Sequence, residues 1–214
     1  MRHALEMAKS PYFRMPYRAR YTESAFCPYL IAVGQVAMAA NDLADRLSGL
    51  FWTITGGGFM DVPLASWNAL PTDRTQQKML RDAIGAAFPK GGGSHNQVRF
   101  PTAAKDLDWL LVEAGKVLGD RNNVIHCPFI LHPSATTKIV MTQTVKRNPQ
   151  AIALQKVVDG GRDLLTEIRW YRDKILVLRD YCWRCDDALC SEHAEWPQKP
   201  GFPPRPPPKR QSHA

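Results

Sequence analysis

Between Gly119 and Phe129 the chain reads GDRNNVIHCPF, a stretch dense in groups that can hold charge or move protons. An arginine such as Arg121 binds a phosphate through paired guanidinium donors. A histidine such as His126 exchanges a proton near neutral pH, and at a helix C-terminus the negative dipole end favours its protonated, acidic form. Asn122 can orient either partner by hydrogen bonding. On a regular helix, residues four apart share a face, whereas residues five apart point about 140° from one another. Asn122 and His126 therefore face together, and one copy completes no site unless the helix frays or Arg121 curls round. The same residue types also have a plainer use, capping carbonyls or binding a neighbouring carboxylate.

A second cluster follows at C-x2-C-x4-C-x2-H, comprising Cys182, Cys185, Cys190 and His193. Three thiolates and an imidazole make a tetrahedral zinc set, closed and therefore structural. Reduced cysteines ending a helix are the competing reading. KGGGSH, Lys90 to His95, lacks the strand and the Lys-Ser/Thr pair of a phosphate loop. Trp109, Trp170 and Tyr171 fall within helical patterns and read as core.

The formal net charge is +8 over 214 residues. Residues 1–20 hold five Lys and Arg against one acid, and 197–214 hold four bases and no acid. The span between them balances at 19 of each sign, so the basicity belongs to the tails and argues weakly for a nucleic-acid groove on the body. No stretch approaches the roughly 18 apolar residues of a membrane helix. The N-terminus lacks the apolar core of a signal peptide. Five cysteines make an odd count, which suits a reducing compartment. These features describe a soluble cytoplasmic protein.

The elements that must position these groups are helices. Residues 1–21 read as an irregular basic arm. From Pro28, the residues Leu30, Val33, Ala37, Ala40, Leu43, Leu47, Leu50 and Ile54 step along one helical face until Thr55–Gly58 ends it. Asp61 caps a short helix, Pro71 interrupts it, and Thr72 caps the next, with Leu80, Ile84 and Phe88 in its stripe. Pro89–Asn96 reads as a loop. A helix opening near Thr102 carries Leu107, Leu110, Leu111, Ala114, Val117, Leu118 and Ile125, and ends near His126 because Pro128 follows. Residues 128–146 suggest a small β-hairpin. Asn148 and Pro149 then begin a long final helix reaching about Tyr181, which buries Leu154, Val157, Leu164, Ile168, Tyr171, Ile175 and Leu178. The organisation is an arm over 1–21, a helical domain over 22–181, a Cys/His-rich segment over 182–196 and a Pro-rich basic tail over 197–214. That tail reads as disordered with polyproline character, fit for solvent or a proline-reading groove. No internal repeat stands out. The fold class is all-α: an antiparallel bundle of four to five helices, with the hairpin inserted before the last.

RNNVIH, Arg121 to His126, resembles the mark of the HEPN superfamily: an arginine, a polar residue, then a histidine a few positions on. The order of elements over roughly 22–180 is also similar to bacterial HEPN-like proteins, where a glycine commonly follows the histidine and this chain has Cys127. The resemblance implies a metal-independent endoribonuclease or RNA-binding protein, with Arg121, Asn122 and His126 at the site. It also implies a homodimer in which two motif helices line one cleft, and, as further partners, RNA or a cognate regulatory protein. No cofactor would serve catalysis; the cysteine cluster would hold a structural zinc. Two other readings stay open. One is a non-catalytic interaction module of a toxin–antitoxin or defence-type system. The other is a zinc-stabilised helical protein whose motif supports only a dimer interface.

Overall fold

The computed structural model describes residues 27–56, 61–89, 94–126, 129–131, 139–141 and 162–208. The basic arm over 1–21 and the expected core positions Leu154 and Val157 lie outside them. Among the described residues there are six helices: α1 Cys27–Ile54, α2 Asp61–Asn68, α3 Asp73–Ala87, α4 His95–Arg99, α5 Ala103–Ile125 and α6 Leu164–Cys190. Two three-residue strands, β1 Phe129–Leu131 and β2 Ile139–Met141, pair antiparallel with Ile130 opposite Val140. The chain joining them lies outside the described residues. The class is all-α. No helix among the described residues is long and apolar enough to cross a membrane.

The chain divides into two compact units. Unit one holds the described residues of Met1–Val36, Asn122–Arg169 and Arg205–Ala214; unit two holds those of Ala37–Arg121 and Trp170–Pro204. Helices α1, α5 and α6 each contribute to both.

In unit two, helical periodicity places the core. α1 buries Ala39, Ala40, Leu43, Leu47, Leu50 and Phe51 at three- and four-residue steps. Gly56 ends this stretch with φ of +102°, a left-handed conformation that a side chain would strain. α3 starts on a capping box: the Thr72 hydroxyl accepts from the Thr75 N–H, and Thr75 reaches back to the Thr72 N–H. It then buries Leu80, Ile84 and, just beyond its end, Phe88. α5 buries Leu107, Leu110, Leu111, Ala114, Val117 and Leu118, as its spacing predicts. Full burial of each leucine contributes about 1.5–3 kcal/mol before entropy is charged against it. Ring contacts add geometry: Phe51 lies 5.5 Å from Trp67, and Trp109 meets Tyr181 edge-on at 5.6 Å.

Unit one buries Ala32, Val36, Val124, Leu164 and Ile168. Here two expected core positions fail. Leu30 is exposed while Ala32 and Val36 turn inward, and Ile125 is exposed while Val124 is buried. In both cases a residue one or two positions away carries the stripe, because apolar residues adjoin at the helix end and composition cannot choose between them.

Three further expectations are corrected. Ser94 caps α4, its hydroxyl accepting from the Gln97 N–H, so His95 and Asn96 are helical and not loop. The continuous helix expected from Asn148 to about Tyr181 is interrupted at 162–163: Asp163 is non-helical, and its Oδ1 accepts from the Thr166 N–H at 2.9 Å in the manner of an N-cap. The α6 helix begins at Leu164, while the expected start at Asn148 lies outside the described residues. That helix also continues past Tyr181 to Cys190, taking the first three cysteines with it.

Candidate functional site

The α5 helix delivers the motif at its C-terminal end. The His126 N–H donates to the Asn122 carbonyl at 3.1 Å, closing a last helical turn. Asn122 and His126, both exposed and both in unit one, therefore sit one turn apart on one face. Ile125 beside them stays 38 % exposed, an apolar side chain left at the surface.

Arg121 closes the α5 contribution to unit two. Its Nη2 donates to Asp73 Oδ2 at 2.8 Å, with the guanidinium largely shielded. Asp73 is the first residue of α3, where the helix dipole favours a carboxylate, and the Thr72 capping box pins the turn that carries it. The guanidinium is consequently aimed by a fixed acid. One residue earlier, Asp120 Oδ2 lies 3.8 Å from Lys174 Nζ on α6. Asp73 escaped the sequence reading, since nothing in its spacing ties it to a residue 48 positions on.

The proposed zinc ligands are not brought together. Because α6 runs to Cys190, Cys182 and Cys190 are separated by eight helical residues, roughly 12 Å along the axis, too far to share one tetrahedral ion. Cys182 and Cys185 are buried in the core, Cys190 is exposed with its Sγ 3.7 Å from the Thr53 hydroxyl, and His193 stands in a turn beyond the helix. Among the described residues no group of three or more His, Cys, Asp or Glu is placed to hold a metal. Burial pushes the Cys185 thiol up to about 12 and raises Cys182 well above its ordinary value, with neighbouring Cys185 and Asp186 adding to the effect on Cys182. Both are neutral apolar fillers, the opposite of thiolate ligands. The reduced-cysteine reading is the one that fits this geometry, with free thiols at Cys27, Cys182, Cys185 and Cys190.

A more elaborate polar arrangement lies at the other end of α5. Asp106, only 8 % exposed, accepts from the Trp196 indole N–H at 2.9 Å and pairs with Lys199 Nζ at 2.7 Å. Burial by itself would raise this carboxyl, but hydrogen bonds from Lys199, Thr102 and Trp196 outweigh it and hold the pKa below its ordinary value. Of these donors, Lys199 comes from the Pro-rich tail expected to be disordered and Trp196 from the residue just before it. From Ser191 to Pro208 that stretch is irregular yet anchored. Arg99 Nη2 donates to the Ser191 carbonyl and, at 3.2 Å, to that of Ala194. Phe202 stacks on Trp109 at 6.0 Å, and the Trp170 indole N–H donates to the Pro203 carbonyl at 2.9 Å. In unit one, separately, Arg205 pairs with Glu167, a carboxylate with no exposed surface, and Arg162 Nε reaches the Pro206 carbonyl at 3.3 Å.

The sequence did carry a signal for this strap. Residues 196–207 are four triplets, WPQ, KPG, FPP and RPP, each with proline in second place. A polyproline helix has three residues per turn, so in that conformation Trp196, Lys199, Phe202 and Arg205 would share one edge. The side chains of those four find partners on the helices, whereas the third members Gln198, Gly201, Pro204 and Pro207 are exposed. The absence of any repeat, expected above, is corrected by this one.

A cavity of about 440 Å³ in unit two is lined by Asp42, Asp45, Arg46, Arg179, Asp180 and Trp183, and includes none of the motif residues. No family model matches the chain, and no curated protein or solved structure matches it either.

Proposed function

We propose that the chain is a HEPN-like, metal-independent endoribonuclease of the cytoplasm that works as a homodimer through its motif helices. The described helices would belong to an antiparallel bundle, with β1 and β2 as the arms of a small hairpin before α6. The observation that carries the reading is RNNVIH at the end of a long helix, with His126 and Asn122 exposed on one turn.

The chemistry follows from the groups. His126 would take the proton of an RNA 2′-hydroxyl as it attacks the adjacent phosphorus, and return a proton to the departing 5′-oxygen. Arg121, aimed by Asp73, would hold the phosphate and offset the charge that builds on its oxygens. Asn122, sharing the face of His126, would orient the imidazole or the phosphate. Because Arg121 and His126 lie five residues apart, a second copy would supply the complementary group, and the exposed Ile125 offers it apolar surface to cover.

One observation favours a second reading, the non-catalytic interaction module of a toxin–antitoxin or defence-type complex: the motif arginine is engaged by Asp73 within its own unit, a structural use of the residue. Cleavage of a labelled RNA by the wild type, His126→Ala and Arg121→Ala separates the two. Loss of cleavage in both variants supports the nuclease. Equal activity in all three, with the dimer retained, supports the module.

A further inference from the structure

The strap is held in an unusual way for ordered chain. Among the described residues, no backbone-to-backbone hydrogen bond ties 194–208 to any helix. Its contacts within unit two are a ligand's contacts: a salt bridge from Lys199 and an indole hydrogen bond from Trp196 to Asp106, ring stacking of Phe202 on Trp109, and a tryptophan N–H given to the Pro203 carbonyl. Lys174 adds a cation 5.4 Å from the Phe202 ring and 4.8 Å from that of Trp170. Aromatic walls, an indole donor for a proline carbonyl and an acid for a basic side chain are the chemistry by which grooves read polyproline helices. Such a ligand is already extended, so little ordering entropy opposes its binding.

We infer that the surface formed by Asp106, Trp109 and Trp170 in unit two is a recognition site for polyproline segments built on aromatic-or-basic, proline, any-residue triplets. The chain's own WPQ-KPG-FPP fills it, and a proline-rich segment of a partner protein with the same triplet register exchanges for it. Exchange is favoured because, among the described residues, no backbone-to-backbone hydrogen bond holds 194–208, and the side-chain contacts that would be lost are ones a second segment of the same triplets supplies.

The test uses the full chain and a fluorescein-labelled peptide of residues 194–208 as probe. In Lys199→Ala/Phe202→Ala the tethered strap is weakened, and the peptide should bind at micromolar concentration. The wild type should bind it at least about tenfold more weakly, since a tethered competitor acts at an effective concentration near millimolar. A peptide with one glycine inserted after Gln198, which throws Lys199 and Phe202 out of register, should not bind either protein. Replacing Trp170 by Phe in the weakened chain should reduce binding several-fold. No binding to the weakened chain, or equal binding of the out-of-register peptide, overturns the inference. So does concentration-dependent dimerisation that Lys199→Ala/Phe202→Ala abolishes, for the occupant would then be a second copy. Should the double variant lose its helical circular dichroism, the same titration on Lys199→Ala decides, and absence of binding there counts equally against the site.

Discussion

The two ends of α5 treat their polar groups in opposite ways. At the N-terminal end Asp106 is buried and satisfied by an ammonium and an indole N–H from a distant segment. At the C-terminal end Asn122 and His126 are exposed, on a turn whose backbone is closed but whose side chains face outward. A buried carboxylate with that many donors is an anchor, and losing one donor leaves desolvation uncompensated. An exposed histidine beside an amide contributes little to folding, because water competes for its contacts. Polarity on one helix thus divides into a part that stabilises and a part that can react.

That division can be broken by crossing the two kinds of measurement. The largest effect is expected at the motif: His126→Ala should lower RNA cleavage by about 10²–10⁴-fold while leaving the urea midpoint close to wild type. A large drop in midpoint would mean that His126 is structural and would erase the contrast. Next comes the anchor. Lys199→Ala removes a charge-assisted hydrogen bond from a buried carboxylate and should cost about 1.5–3 kcal/mol in urea unfolding, with RNA cleavage unchanged. Unaltered stability would show that Asp106 is satisfied without the strap.

Acid should act on the anchor. The Asp106 carboxyl binds its proton more weakly in the folded chain, so its contribution is complete above the ordinary value of 3.8 and disappears as pH falls through the lower folded value. Tryptophan emission should shift below about pH 4 as Trp196 leaves, and Asp106→Asn should remove that transition. Alkali should act on α6. Neutral Cys182 and Cys185 contribute fully below the ordinary thiol value of 9.0, and their stabilisation declines as pH rises from there toward about 12. A thermal midpoint that holds steady from pH 9 to 11 would argue that these thiols are more accessible than their burial implies. The smallest effect belongs to the ion pair that aims the motif arginine. Asp73→Asn, at a partly exposed pair, should change stability by only about 0.2–1 kcal/mol. Its effect on cleavage is the sharper readout: a fall marks Asp73 as a positioning residue, a rise marks it as a competitor for phosphate.

Most helices were legible because amphipathic spacing is a local property. The stripes of α1 from Ala40 onward, of α3 and of α5 up to Leu118 all sit where three- and four-residue steps put them. Legibility failed where adjacent apolar residues compete, as at Val124 and Ile125, and where polar residues hid a boundary, as at Asp163. The cysteine segment misled because C-x2-C was read as ligand spacing, when on a continuing helix it marks consecutive turns of a buried stripe. Of the candidate site, the motif residues were visible by type, but Asp73 was not, since an ion pair between separate helices leaves no spacing to read. The strap was misjudged on composition: proline-rich chain builds no core of its own, yet it can lie ordered along one built by other elements.

The triplet organisation of that strap has a consequence for how it tolerates change. Its side chains are read in phase, one turn per triplet, so the damage from a mutation depends on whether the phase survives. A substitution at Gln198 or Pro207 alters an outward-facing letter and leaves the reading intact. Deleting Gln198 would rotate every later anchor by about a third of a turn and detach Lys199, Phe202 and Arg205 together. The strap behaves like a text with a reading frame, in which length is guarded more strictly than spelling.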